Sequence, residues 1–243
     1  MTLRVVVVYP DLLGTYGDGG NGLVLARRAE WRGIEAELIQ APSDAPLPRG
    51  DLYCLGGGED APQAQAADAL RRDGTLATAV DQGSVLLAVC AGFQIVGRSF
   101  PSAAGESLPG LGLLDVETHK GSGPRAVGEL VAEPLEWDLP TLTGFENHAG
   151  ATALGEGVRP LARAEVGVGN GAGDRTEGAW SGRVVGTYLH GPVLARNPAL
   201  ADVLLGWALG ADRPLAPLDD ERESELRTER LAAARRSRPR HGR

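Results

Sequence analysis

The apolar run Ser84-Val85-Leu86-Leu87-Ala88-Val89 ends on Cys90 and is followed at once by Ala91-Gly92-Phe93-Gln94-Ile95-Val96-Gly97. This pattern predicts a strand that turns directly into a helix at a thiol flanked by small residues. A turn so sharp strains the backbone, admits only small neighbours, lifts one side chain clear of a sheet and aims helix N–H groups at any negative charge forming beside it. The chemistry it suits is acyl transfer through a thioester. A cysteine in an apolar run is more often a small buried hydrophobe than a nucleophile. Cys54 fits that plainer reading, because it lies inside Asp51-Leu52-Tyr53-Cys54-Leu55 with no helix start behind it. At Cys90 the strand, the small residues and the helix coincide.

The rest of the chain supports such a turn. Leu3 to Tyr9 reads as a buried strand, residues 19–32 as a helix, and Ile34 to Ile39 and Leu52 to Leu55 as further strands. This alternation means parallel strands with crossover helices. After Val89, strands are expected at 112–118, 126–132, 142–146, 158–164 and 184–189, joined by glycine-rich turns, which makes the second half more antiparallel. A helix over 198–209, with Asn197 as cap and Pro198 in its first turn, closes the domain. Segment 219–236 carries Glu–Arg pairs at helical spacing and reads as a marginal appended helix. The expected fold is α/β, a doubly wound, mostly parallel sheet flanked by helices. One domain over 1–212 precedes a charged extension over 213–243 that ends in a disordered basic tail.

The chain has 243 residues and a formal net charge of −8. Residues 230–243 hold six arginines and no acid, so the other 229 carry 18 basic and 32 acidic groups, or −14. An acidic body disfavours nucleic-acid binding, which draws most of its non-specific affinity from Lys and Arg. No basic-plus-apolar leader and no apolar run near the ~18 residues of a membrane span occurs, so a cytoplasmic location is expected. Two cysteines in separate core elements argue against a disulfide framework or a structural zinc site.

A thiol nucleophile needs a base. Of four histidines, His241 lies in the arginine tail, where nothing would hold it, and His119 neighbours Lys120 in a stretch expected to be exposed. His148 follows Glu146-Asn147 in a loop suited to binding substrate. His190 ends the strand Val184 to Leu189 and should emerge on the same sheet rim as Cys90, where it would draw off the thiol proton. Gly56-Gly57-Gly58, directly after the strand at Leu52–Leu55, fits an oxyanion hole, with the Ala91 N–H as second donor.

Leu55-Gly56-Gly57-Gly58-Glu59-Asp60, Ala88-Val89-Cys90-Ala91-Gly92-Phe93-Gln94 and Tyr188-Leu189-His190-Gly191-Pro192 together resemble the class I, triad-type glutamine amidotransferases of the cobyric acid synthase-like branch. Tyr9 to Asn21, Gly144 to Gly150 and His190 to Asp202 are most similar to the glutaminase subunits of lipid II isoglutaminyl synthases. The resemblance covers Leu3 to Leu209 and implies a flavodoxin-like glutamine amidotransferase domain. It further implies that L-glutamine is hydrolysed and its ammonia handed, in a heterodimer, to a Mur-ligase-like synthetase subunit that amidates the D-glutamate of the peptidoglycan stem. It assigns the nucleophile to Cys90, the base to His190, the grip on the substrate carboxylate to Arg125 and a substrate contact to Gln94. Classical members carry Glu two residues after the histidine; here that place is Pro192. The resemblance implies that the partner subunit supplies the orienting carboxylate.

Lys120 is the only lysine, it precedes glycine, and no Walker-type phosphate loop exists. No cofactor is therefore expected in this chain, and ATP with its metal is expected on the partner. Two other amidotransferase-like or hydrolytic readings remain at this stage: amidation of cobyrinic or cobyric acid, and a stand-alone cysteine amide hydrolase. A third is a non-catalytic subunit that kept the elbow.

Overall fold

The computed structural model describes residues 2–210 and 215–236. Its first half is a run of β1 (Leu3–Val8), α1 (Gly20–Glu30), β2 (Ala36–Ala41), β3 (Leu52–Leu55), α2 (Asp60–Asp73), α3 (Thr75–Asp81), β4 (Val85–Val89) and α4 (Ala91–Val96). Then come β5 (Ser99–Pro101), β6 (Ser107–Pro109), β7 (Val116–Lys120), β8 (Ala126–Pro134), β9 (Leu142–His148), β10 (Gly150–Leu154) and β11 (Ala162–Val166). The chain continues through β12 (Thr176–Glu177), β13 (Ala179–Ser181), β14 (Val184–Thr187), α5 (Val193–Arg196), α6 (Pro198–Leu209) and α7 (Glu221–Arg236).

The main sheet has the order β13-β14-β4-β3-β1-β2, parallel throughout except for the edge strand β13. Its central strands are buried on both faces, which is why β3 and β4 read as unbroken apolar runs and β1 as one interrupted only by Arg4 near its start. Each Val or Leu buried there contributes about 1.5–3 kcal/mol. Two antiparallel four-stranded sheets, β10-β7-β5-β6 and β12-β11-β8-β9, form the extension, although β5 and β7 share one parallel pairing. The expected strand at 184–189 does not belong to that extension: β14 returns to the main sheet and lies parallel to β4 in direct register. It carries His190 to the rim where Cys90 ends its own strand.

Helix α6 has the predicted bounds, but Asn197 does not cap it through its side chain. Its Oδ1 accepts from the Thr143 N–H at 3.0 Å, and its Nδ2 donates to the carbonyls of Thr143 and Val193 at 2.8 and 2.7 Å. The amide is more useful locking β9 to the loop after His190. The appended helix exists and is docked. Arg235 pairs with Glu165 at 2.7 Å, Arg227 donates to the Thr141 carbonyl, and Asp220 just before it meets the buried Arg28 of α1 at 2.6 Å. Arg28 also pairs with Asp202 of α6 at 2.8 Å, so one guanidinium joins three segments. The boundary drawn between 212 and 213, the tail beyond 236 and His241 lie outside the described residues. Among the described residues no helix is long and apolar enough to cross a membrane.

Candidate active site

Cys90 stands between β4 and α4 with φ 53° and ψ −105°, a region that costs a non-glycine residue about 1–3 kcal/mol. Its N–H donates to the Thr187 carbonyl at 2.9 Å and its carbonyl accepts from the Gln94 N–H at 3.0 Å, so the sheet and the helix hold the strained turn from either side. Gly92 is obligatory: a Cβ there would lie 2.8 Å from Leu55 Cβ and 2.9 Å from the Leu55 carbonyl oxygen. Cys54 lies buried in β3, and burial pushes its thiol up to about 12, with Asp18 adding to the effect. It is the inert thiol.

His190 follows β14. Its backbone exchanges two hydrogen bonds with Phe145 of β9, at 2.8 and 3.1 Å. Its Nδ1 lies 2.8 Å from Asp18 Oδ2, and both side chains are almost fully buried. The carboxylate accepts, so a proton sits on Nδ1 and Nε2 is left on the side of Cys90. Nε2 has no hydrogen-bond partner of ordinary geometry among the described residues, while the Cys90 thiol rests 3.9 Å from the Asn147 carbonyl. Burial works against charging His190, but the hydrogen bonds and charges of Asp18 and Cys90 outweigh it and push the imidazole up to about 10. The site thus favours an imidazolium beside Cys90.

The orienting carboxylate is therefore in this chain. The expectation that a partner supplies it is overturned: Asp18, in the loop before α1, occupies the role that Pro192 cannot. The chain folds this way because the start of α1 is stitched to the segment that follows His190. Asn21 Oδ1 accepts from the Leu194 N–H at 3.0 Å, and Gly20 lies so close to the Pro192 ring that a Cβ would approach within 2.5 Å of it. The sequence signal was an acid set among glycines directly before a helix, a pattern that does not by itself say what the acid will meet.

The triple glycine turns out to serve this carboxylate as well. The Gly57 N–H donates to Asp18 Oδ2 at 2.9 Å, so it is not directed at an oxyanion. A Cβ on Gly57 would come within 2.7 Å of His190 Cε1, and one on Gly56 within 2.3 Å of the Leu13 carbonyl oxygen. Glycine is needed for close approach. Gly58 and Ala91 line the cleft with Cys90 and His190, and they remain the donors available to an oxyanion.

The cleft has a volume of about 150 Å³. Arg125 and Gln94 both line it, as expected of substrate-binding residues. Arg125 is engaged by Asn147, with Nε donating to Oδ1 at 2.5 Å and Nη2 to the backbone carbonyl at 3.3 Å. Asn147 Nδ2 in turn donates to the Tyr16 hydroxyl, and the Tyr16 ring meets His190 edge-on at 4.9 Å. Tyr16 and Asn147 were not singled out from the sequence. His148 is a wall residue: its ring stacks on Tyr188 at 3.8 Å and its Nδ1 lies 3.0 Å from the Gly150 carbonyl oxygen. His119 is exposed, beside Glu117.

Comparison with known proteins gives the family. The model of the CobB/CobQ-like glutamine amidotransferase domain matches residues 4–198. The chain is 33% identical over 234 residues to the GatD subunit of lipid II isoglutaminyl synthase (glutamine-hydrolyzing) of Streptococcus pneumoniae, covering 93% of this chain and 90% of that one. It is 32% identical over 237 residues to the corresponding Staphylococcus aureus subunit, covering 96% of each. Cobyric acid synthase of Pelotomaculum thermopropionicum is 42% identical over 142 residues, 53% of this chain and 26% of that protein. Among solved structures, a glutamine amidotransferase superposes with a TM-score of 0.58 at 23% identity over 84% of this chain and 98% of the other. Another, from Thermotoga maritima, gives 0.56 at 16% over 96% and 90%. These last two bear on the fold, which they place with the glutamine amidotransferases. The family match spans Asp18, Cys90 and His190 together, and the chain belongs to the CobB/CobQ-like glutamine amidotransferase family.

Proposed function

We propose that this chain is the glutamine-hydrolysing subunit of a two-component enzyme that amidates the D-glutamate of the lipid II stem peptide. The observation that carries the reading is coverage. The similarity to the two GatD subunits runs over nine-tenths or more of both partners in each comparison, whereas the cobyric acid synthase similarity takes in about a quarter of that protein.

In the proposed reaction His190 takes the Cys90 proton and Sγ attacks the side-chain amide carbon of glutamine. The C–N bond then breaks, the nitrogen leaves as ammonia with the proton from His190, and a thioester remains. Water, deprotonated by the same imidazole, releases glutamate and returns the thiol. Arg125 and Gln94 hold the substrate, while the N–H groups of Gly58 and Ala91 receive the oxyanion. Ammonia passes to a Mur-ligase-like partner, which binds ATP and its metal. Residues 1–212 form the glutaminase unit and 213–243 an extension, and the pair works in the cytoplasm at the inner membrane face where lipid II is presented.

The test is incubation of this chain, co-purified with the synthetase subunit, with glutamine, ATP and lipid II. Glutamate release and the replacement of one carboxyl by an amide in the stem peptide, read by mass spectrometry, are expected together. Amidation of cobyrinic acid and not of lipid II in a parallel reaction would overturn the assignment, and glutamate release with no amidated acceptor would favour a stand-alone hydrolase.

A further inference from the structure

Behind the nucleophile helix a file of side-chain hydrogen bonds runs from the main sheet layer into the antiparallel extension. Gln63 of α2 donates from Nε2 to Gln94 Oε1 at 2.9 Å and lies 3.4 Å from the Ala91 carbonyl oxygen. Gln94 donates from Nε2 to the Tyr188 hydroxyl at 3.1 Å. The hydroxyls of Tyr188 and Thr152 are 2.7 Å apart, and those of Thr152 and Thr118 are 2.8 Å apart. All five side chains are buried, and Tyr188, Thr152 and Thr118 do not line the catalytic cleft.

The direction of this file is set at one end. A backbone carbonyl only accepts, so the Ala91 oxygen requires the nitrogen of Gln63 and not its oxygen. That nitrogen then faces Gln94, which must answer with its oxygen and present its own nitrogen to Tyr188. The Gln94 nitrogen cannot take the Tyr188 proton, so the Thr152 oxygen 2.7 Å away is the acceptor in reach, and Thr152 in turn has the Thr118 oxygen at 2.8 Å. Turning the Gln94 amide over would set two NH2 groups against each other at Gln63, a buried mismatch with no acceptor between them. Tyr188 is itself pinned. Its N–H donates to Glu177 at 2.9 Å, and its ring packs on Phe93 at 5.4 Å and on His148 at 3.8 Å.

Gln94 has two N–H bonds, and only one is used by Tyr188. The other is left for the cleft, which Gln94 lines. We propose that Tyr188 and Thr152 are positioning residues that fix Gln94 as a donor toward the oxygen atoms of bound glutamine, acting on ground-state binding and not on the chemistry at Cys90. This rests on the reading that Gln94 touches the substrate.

The experiment compares glutamine hydrolysis by Thr152→Val, Thr152→Ser, Tyr188→Phe and Gln94→Leu. Valine removes the hydroxyl at a residue outside the cleft, serine retains it, and phenylalanine keeps the packing of the tyrosine ring. Losing a positioned hydrogen bond worth about 1.4 kcal/mol raises KM about 10-fold. That rise is expected in Thr152→Val and Tyr188→Phe, with kcat within about 2-fold, recovery in Thr152→Ser, and an unmoved pH profile of Cys90 alkylation by iodoacetamide. A raised KM in Gln94→Leu with no rise in Thr152→Val and Tyr188→Phe overturns the positioning role alone. An unchanged KM in Gln94→Leu overturns the parent reading. Equal losses in the valine and serine variants, or a shifted alkylation profile, mean that the file only supports the fold and overturn the proposal too.

Discussion

Asp18 and His190 stand 172 positions apart and share a 2.8 Å hydrogen bond inside the protein. The carboxylate comes from the loop before α1, far away in sequence, yet the start of that helix packs beside Pro192, the place two residues after the histidine where classical relatives keep their acid. Asp18→Asn leaves the volume of the site unchanged but removes the charge that stabilises the imidazolium and offers Nδ1 an ambiguous partner. A classical triad loses about four powers of ten in kcat when its carboxylate is so changed. We expect a fall of about 10²–10⁴-fold here, with KM little altered, in steady-state glutamate release. Because the triad is complete in one chain, the unpartnered wild-type protein should hydrolyse glutamine measurably. An inactive isolated chain that a synthetase subunit restores, together with an innocuous Asp18→Asn, would return the orienting role to the partner.

Cys90→Ala removes the nucleophile and should abolish glutamate release while leaving the fold intact, since the sulfur lies at the sheet rim. Cys54→Ala should retain activity and lower stability by about 1 kcal/mol, for a small buried group. Parallel rate and thermal-melt measurements on the two variants separate the roles.

His190 also carries a pH signature. Its folded value of about 10 exceeds its ordinary 6.5, so the stability it contributes is fully present below 6.5 and is lost as pH rises through about 10. The melting temperature of wild type relative to His190→Gln should therefore decline between those limits. A constant difference across that range would contradict the imidazolium assignment.

Glu177 behaves oppositely to a paired carboxylate. Burial pushes it up to about 7 from 4.5, against hydrogen bonds from the Thr187 hydroxyl and the Tyr188 N–H, with Glu146 raising it further and His148 lowering it. Its Oε2 lacks a partner among the described residues. The stability belonging to its protonated form is complete below 4.5 and is lost as pH rises through about 7. Glu177→Gln mimics that protonated form, so its melting temperature should gain on wild type from pH 5 to pH 8. A gap that stays level or narrows would show that the carboxylate ionises freely.

Arg28 is almost fully buried while Asp202 and Asp220 keep partial exposure. Arg28→Met should cost about 3 kcal/mol in urea unfolding, because it leaves Asp220 without its cation and Asp202 with Arg32 alone. A loss below about 1 kcal/mol would place the network among ordinary surface pairs.

What the sequence disclosed follows the range of the interactions involved. The turn at Cys90, the strand leading to His190 and helix 198–209 are written in contiguous residues, through periodicity, small side chains and a proline in the first turn. Arg125 and Gln94 were reached by resemblance and do line the cleft. Asp18, Tyr16, Asn147 and Tyr188 owe their places to contacts across the fold, which no local pattern records. Asn197 shows the same limit: its position beside a helix start suggested a cap, yet tertiary partners on β9 claimed its amide. In the sequence Gly57 belongs to a triple glycine that fits an oxyanion hole, whereas the reason for glycine is the imidazole pressed against it.

The placement of β14 next to β4 has a consequence for biosynthesis. A ribosome-bound chain that has released β1 to β4 already owns its thiol and its carboxylate, but the imidazole arrives about a hundred residues later, at the end of the strand that must slide in beside β4. On the proposed mechanism no shorter nascent fragment hydrolyses glutamine, and competence arrives with the closing of the sheet itself.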